Sequence, residues 1–186
     1  MDGGSAISIE EARRYLERLE AVQALLYSED GLPVSFARMS REEAEEASAL
    51  SVQLAVFAER RLAGGSRVTI ALLSENRDVV IAAWGRQALI AYTKPGYGPS
   101  IARALQGRGP SCGRCGQDLS MAMVECASCG ALNPWSAEKC SGCGQPLRIR
   151  TCPRCGARVD ASGQPIGLRE RLAPRVHKGV SLESGG

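Results

Sequence analysis

The chain has 186 residues, 23 Lys+Arg against 20 Asp+Glu for a formal charge of +3, and 44% apolar but only 4% aromatic residues. That length holds one domain or two small ones, and the apolar content is ordinary for a globular protein. No run is long and apolar enough to cross a membrane, and Met1 to Glu20 lacks the apolar run of a signal peptide, so the expectation is a soluble protein of the reducing cytoplasm without membrane insertion.

Ser8 is a candidate N-cap with Glu11 three residues on, a capping box, and Ile9, Ala12, Leu16 and Leu19 then recur at helical spacing. The apolar run Ala21 to Tyr27 reads as a strand, turned back at Ser28–Gly31 into a hairpin partner, Leu32 to Phe36. A second capping box, Ser40 and Glu43, opens a long helix from Arg41 to about Leu62, ended by Gly64-Gly65. Glu42, Glu43, Glu45 and Glu46 sit at its start, where carboxylates meet the helix dipole favourably.

The long helix is apolar on more than one side. Ala47, Leu50, Leu54, Phe57 and Ala58 form one face, Ala49, Val52, Val56 and Ala63 lie nearly opposite, and Ala44, Ser48, Ser51 and Ala55 make a small-residue flank. A helix with two apolar sides is covered on two sides; one suits a sheet of its own chain and the other a partner, with Ala49, Val52 and Val56 as the interface. Three strand-like runs follow as an antiparallel meander, Val68 to Ser74, Val79 to Trp84 and Ala88 to Thr93. Pro99 and Gly107 bracket a last short helix containing Ile101, Ala104 and Leu105.

The order is helix, two strands, long helix, three strands, helix. Together with "LERLEAVQALLYSEDGLPV" (Leu16 to Val34), "RVTIALLSENRDVVIAAWGRQALIAYT" and "GPSIARAL" (Gly98 to Leu105), it resembles the roadblock family of dynein light-chain relatives, over about residues 8–106. Ala21 and Ala24 stand where that family often has glycine. The resemblance implies an α+β fold, a five-stranded antiparallel sheet with the long helix packed on one face. It also implies a homodimer in which long helices pack together and third strands meet edge to edge, which adds Val68, Ile70 and Leu72 to the interface. Relatives include partners of small Ras-like GTPases, so a GTPase is the partner it implies.

All eight cysteines fall in the rest of the chain as four CxxC pairs, Cys112/Cys115, Cys126/Cys129, Cys140/Cys143 and Cys152/Cys155. Each pair is followed by a glycine, Gly116, Gly130, Gly144 or Gly156, which closes the knuckle at positive φ without a Cβ clash. Two knuckles complete a tetrahedral thiolate shell suited to zinc at about 2.3 Å, so eight cysteines imply two closed, structural zinc sites. A redox CxxC is usually a single motif, a disulfide scaffold needs an oxidising compartment, and iron is the rival ion.

The stretch from Cys112 repeats from Cys140: both read C-x-x-C-G-Q-x-L, then C-x-x-C-G-A. The repeat favours tandem pairing, with Cys112, Cys115, Cys126 and Cys129 on one ion and Cys140, Cys143, Cys152 and Cys155 on the other. The rival is nested, the middle two knuckles sharing an ion. Ser111 to Val159 resembles a double zinc ribbon module. The division expected is 1–106 a dimerisation domain, 107–159 the double ribbon and 160–186 a flexible tail that carries the single histidine, His177, exposed and idle.

Charge bears on function. Residues 1–106 carry −2 and residues 107–186 carry +5. Each zinc–tetrathiolate centre is formally −2, which takes the second half to +1 and the chain to −1. A nucleic-acid binder should show a strong basic footprint, so nucleic acid is the lesser reading, resting on Arg148, Arg150, Arg154 and Arg158 at even spacing. Trp135, between the ribbons, is either a wedge or a partner anchor. The leading expectation is a non-enzymatic dimeric adaptor that binds a small GTPase, with the ribbons docking a further protein. A thiol-based sensor is a third reading that closed sites disfavour.

Overall fold

Ser8 starts the first helix as the sequence predicts. Its hydroxyl accepts from the Glu11 N–H at 3.2 Å while the Glu11 carboxylate accepts from the Ser8 N–H at 2.8 Å. The same reciprocal pair forms at the second helix, where the Ser40 N–H donates to Glu43 at 2.6 Å and the Glu43 N–H to the Ser40 hydroxyl at 3.1 Å. The computed structural model of the protein describes residues 7–28, 30–58, 68–84 and 87–166, with the side chains of 50 and 55–58 outside that description.

The elements follow the expected order: α1 (Ile9–Arg18), β1 (Gln23–Ser28), β2 (Pro33–Ala37), α2 (Arg41–Ala58), β3 (Val68–Leu72), β4 (Asp78–Trp84), β5 (Gln87–Thr93) and α3 (Gly98–Leu105). The strands form one antiparallel sheet in the order β2-β1-β5-β4-β3. Alternation along each strand gives the sheet two apolar faces. Ala24, Leu26, Val80, Ala82, Leu89 and Ala91 pack against α1 and α3, while Leu25, Tyr27, Ile81, Ala83, Ala88 and Ile90 pack against α2. The N-terminal unit is therefore three layers, with helices on both faces.

The register aligns one apolar row across all five strands on the α2 side, Phe36, Leu25, Ile90, Ile81 and Ile70. Its middle is sealed, but Phe36 at one end is 41% exposed and Ile70 at the other is half-buried. α2 is narrower than the sheet it covers.

α2 itself seats differently from the pattern expected. It buries Ala44, Ser48 and Ser51 of the small-residue flank together with Ala47 from the neighbouring face, while Leu54 of that face stays 42% exposed. Small side chains let the helix lie close on the sheet, and at the turn between β1 and β2 a Cβ on Gly31 would come within 2.9 Å of the Val52 side chain. Val52, expected on the partner side, is half-buried against its own chain, and Ala49 is exposed. Residues 59–67, which include the predicted last turn, Ala63 and Gly64-Gly65, and the side chains of Leu50, Ala55, Val56, Phe57 and Ala58 lie outside the described residues.

Two polar groups fix the corners, the exposed Arg38 and the buried Asp78. The Arg38 guanidinium donates to the carbonyls of Leu16, Glu17 and Val22 at 3.0, 3.1 and 2.6 Å, satisfying the C-terminal end of α1. The Asp78 carboxylate, 1% exposed, accepts from the N–H groups of Gly96 and Gly98 at 2.8 and 2.9 Å. A Cβ on Gly98 would meet Asp78 at 2.8 Å, so glycine is required there. This turn sets Tyr97 at the start of α3, where it faces the C-terminal unit.

That unit has almost no regular structure. β6 (Met123–Glu125) pairs with β7 (Leu132–Pro134), and β8 (Arg150–Thr151) with β9 (Arg158–Val159). Met121 and Met123 pack on the α1/α3 side of the first unit, so the ribbon covers the face opposite α2. Among the described residues, no helix is long and apolar enough to cross a membrane.

Candidate metal centre

Each of the four knuckles closes identically. The N–H groups of Cys112, Cys126, Cys140 and Cys152 donate to the carbonyls of Gln117, Ala131, Gln145 and Ala157 at 2.8–3.0 Å, and the following glycine N–H returns to the first cysteine's carbonyl. Gly116, Gly130, Gly144 and Gly156 lie at φ of 67–75°, as the sequence demands.

The knuckles pair as nested sets, not in tandem. Cys126, Cys129, Cys140 and Cys143 form an inner group, and Cys112, Cys115, Cys152 and Cys155 an outer one, each with all sulfurs within 4.8 Å of one another. The repeat could not decide this, because both schemes join one CGQ knuckle to one CGA knuckle. The chain decides it through packing. Gly113 donates to Gly163 at 2.8 Å and Val159 bridges Pro165, which brings the first knuckle to the end of the last. Residues 160–166, assigned from the sequence to the tail, are thus tied into the ribbon, while 167–186, with His177, lie outside the described residues.

Four thiolates at about 2.3 Å from one ion stand about 3.8 Å apart along a tetrahedron's edges. The sulfurs of Cys112 and Cys155, and of Cys115 and Cys152, are 3.8 Å apart; Cys126 and Cys143 are 3.6 Å apart and Cys129 and Cys140 3.5 Å. These spacings fit zinc, and two such groups hold two zinc ions per chain. Both sets are complete with four sulfurs, so the ions are structural.

The electrostatics match that role. The Cys155 amide is the chief cause that brings the Cys152 thiol down to about 6. Burial opposes ionisation of Cys140, but the amides of Cys143 and Gly142 outweigh it and lower that thiol to about 6 as well, with the Gly142 N–H 3.3 Å from the sulfur. Cys129 behaves oppositely: the Ala131 amide favours its thiolate, yet the facing Cys140 and Cys143 push it up to about 12. Four close thiols resist ionising together, and a dication relieves that repulsion while displacing protons.

A single core serves both centres. Leu119, Trp135, Leu147 and Val159 pack with the buried cysteines. Trp135 is 1% exposed and its indole donates to the Ala161 carbonyl at 3.3 Å, so it is the wedge and not a surface anchor. Arg150 is 3% exposed and donates to the carbonyls of Trp135, Leu147 and Ala137. The expected arginine face is therefore broken: Arg148, Arg154 and Arg158 are exposed, and Arg150 is consumed inside.

Other residues at the site carry no motif that sequence reading could find. Asn133, fully buried, accepts from the Ser141 N–H at 2.7 Å and donates to the Ala131 carbonyl at 2.8 Å, bracing the third knuckle. Lys94 donates to the Ser141 carbonyl at 2.7 Å, and the Tyr97 hydroxyl donates to the Lys139 carbonyl. Burial, then the thiols of Cys140, Cys143 and Cys126, push the Tyr97 hydroxyl up to about 12.

Residues 126–164 match the family model of the double zinc ribbon. The chain is also similar to the Roadblock/LC7 domain from Streptomyces avermitilis in its crystal structure, at 17% identity and a TM-score of 0.42, over 50% of this chain and 83% of that one. No curated protein sequence matches the chain. The first unit's fold stands on its own element order and antiparallel sheet, which are those expected from its sequence. The ribbon match begins at Cys126 and takes in three knuckles, and the geometry supplies the fourth as the partner of Cys152 and Cys155. The C-terminal part of the chain is thus similar to a double zinc ribbon, with one four-cysteine centre nested inside the other.

Proposed function

We propose that the protein is a non-enzymatic homodimeric adaptor that binds a small Ras-like GTPase through its N-terminal unit and presents the zinc ribbon as a docking module for another protein. The observation that carries the reading is the apolar row across the sheet, whose ends outrun α2. Edge strand β3 leaves Val68 and Ile70 half-buried and Leu72 45% exposed, on the same side of the sheet as the exposed Ala49 and Leu54. An apolar edge strand is a liability unless it is covered, and a second copy, strand to strand and helix to helix, covers both at once. The GTPase rests on the roadblock resemblance of the sequence. The non-enzymatic reading rests on the saturation of both metal sites, and a reducing cytoplasm suits thiols held by metal. Sedimentation of the zinc-loaded chain against a mass of 19.7 kDa per protomer tests the dimer. Capture of Ras-like GTPases from the source cells, loaded with GDP or GTP, tests the partner; recovery of none in either state overturns that half. Nucleic-acid binding through the ribbon loses its main support with Arg150 buried.

A further inference from the structure

The two metal centres differ in their surroundings. Cys112 and Cys152 of the outer centre are buried and Cys115 and Cys155 half-buried, whereas Cys129 and Cys143 of the inner centre are exposed. The inner centre compensates with contacts that, among the described residues, the outer one lacks. Its third knuckle, Cys140 to Gly144, is gripped from outside the ribbon by Lys94 on the Ser141 carbonyl and by Tyr97 on the Lys139 carbonyl, one residue to either side of Cys140. It is braced from within by Asn133 on the Ser141 N–H. The knuckles also meet closely, since a Cβ on Gly142 would stand 3.2 Å from the Cys129 sulfur. Tyr97 is held in turn by the Asp78 carboxylate through the N–H groups on both sides of it, Gly96 and Gly98.

We propose that Lys94 and Tyr97 are positioning residues of the inner zinc centre, and that occupancy of this centre in turn latches the ribbon to the N-terminal unit. The grip fixes the two main-chain carbonyls that flank Cys140, and with them the direction of its sulfur. Whatever strengthens the docked state strengthens the inner site, and by linkage zinc at that site strengthens docking by the same factor. The outer centre is anchored by its own chain, Gly113 to Gly163, and takes no part. Loss of the inner zinc leaves Lys94 and Tyr97 without ordered acceptors and loosens the start of α3.

The test uses the full zinc-loaded chain. A Lys94→Met/Tyr97→Phe double variant keeps every cysteine and changes one exposed and one half-buried residue. Competition with a chromophoric zinc chelator, with thiol alkylation mapped by mass spectrometry, assigns each affinity to its centre. The inner affinity should fall roughly five- to tenfold, within the usual range of coupling between sites, while the outer affinity is unchanged. Tyr97→Phe alone should give a smaller loss confined to the inner centre. Removal of the inner zinc from the unsubstituted chain should raise amide hydrogen exchange across residues 98–105. Unchanged affinities, equal weakening of both centres, or inner zinc loss without faster exchange at 98–105 would each overturn the proposal.

Discussion

The Arg150 guanidinium donates to the Trp135 carbonyl at 2.6 Å from inside the ribbon core. The same group reaches Leu147 at 2.6 Å and Ala137 at 2.7 Å, so one planar fork joins the linker after β7 to the strand that enters the last knuckle. Charged hydrogen bonds contribute more than neutral ones, and a carbonyl left unpaired in a core is costly. Arg150→Met should cost about 3 kcal/mol in the ribbon. Arg150→Lys should recover only a fraction, because an ammonium is a point donor and not a fork. Thermal unfolding of the zinc-loaded chain checks this, and a lysine variant as stable as the parent would show that the fork geometry is irrelevant.

The nested pairing makes a prediction that no stability measurement can blur. With cadmium-113 in place of zinc, one cadmium resonance should couple to the β-protons of Cys112, Cys115, Cys152 and Cys155. The other should couple to those of Cys126, Cys129, Cys140 and Cys143. Coupling of Cys115 and Cys126 to one cadmium would restore the tandem scheme and refute the packing described for Gly113, Gly163 and Val159.

Local signals in the sequence were legible where one residue's chemistry decides the structure. The capping boxes at Ser8 and Ser40, the four glycines after the knuckles and the alternation that builds the sheet all concern neighbours a few residues apart. The metal ligands were legible for the same reason. Their pairing was not, because the repeat is degenerate between the two schemes and the deciding contacts join residues 50 apart, Gly113 and Gly163. The seating of α2 was missed because hydrophobicity pointed to Leu54, whereas close approach to the sheet selected Ala44, Ala47, Ser48 and Ser51. Arg150 resembles part of a charged stripe because sequence spacing carries no information on the Trp135 and Ala137 carbonyls, which the fold brings beside that of Leu147. Asp78, Lys94, Tyr97 and Asn133 bear no recognisable motif, since each acts on main-chain atoms of residues chosen by the fold.

Acid stability should report the two capping boxes. The Ser8 N–H, followed by the Ser8 hydroxyl, holds the Glu11 carboxyl below its ordinary value of 4.5, and the Ser40 N–H and hydroxyl do the same for Glu43. A carboxyl with a depressed folded pKa stabilises the fold above its unfolded pKa and loses that contribution as pH falls through the folded value. Stability from these groups should therefore be constant from neutral pH down to about 5 and decline below that. A Glu11→Gln/Glu43→Gln variant keeps an acceptor for each cap but has nothing there to titrate. Urea midpoints at a series of pH values should converge for variant and parent as pH falls, since zinc loss in acid is common to both. A constant difference at every pH would mean that the carboxylates act through something other than their ionisation.

Leu72 offers the cleanest probe of the covered edge. It lies at the end of β3, opposite Val79 of β4, and is 45% exposed, so a lysine there is tolerated by the protomer's own core. In a strand-to-strand dimer the same lysine would meet its symmetry mate or lose its water at the seam, and either outcome is expensive. Leu72→Lys should weaken dimerisation at least tenfold, roughly 1.4 kcal/mol or more. Circular dichroism and the content of two zincs per chain should remain unchanged. Phe36→Lys, on β2 at the opposite edge of the sheet, serves as the contrast. It is 41% exposed and should leave a β3-mediated dimer intact. Sedimentation of both variants decides between the edges: if Phe36→Lys dissociates the protein and Leu72→Lys does not, the two copies meet through β2.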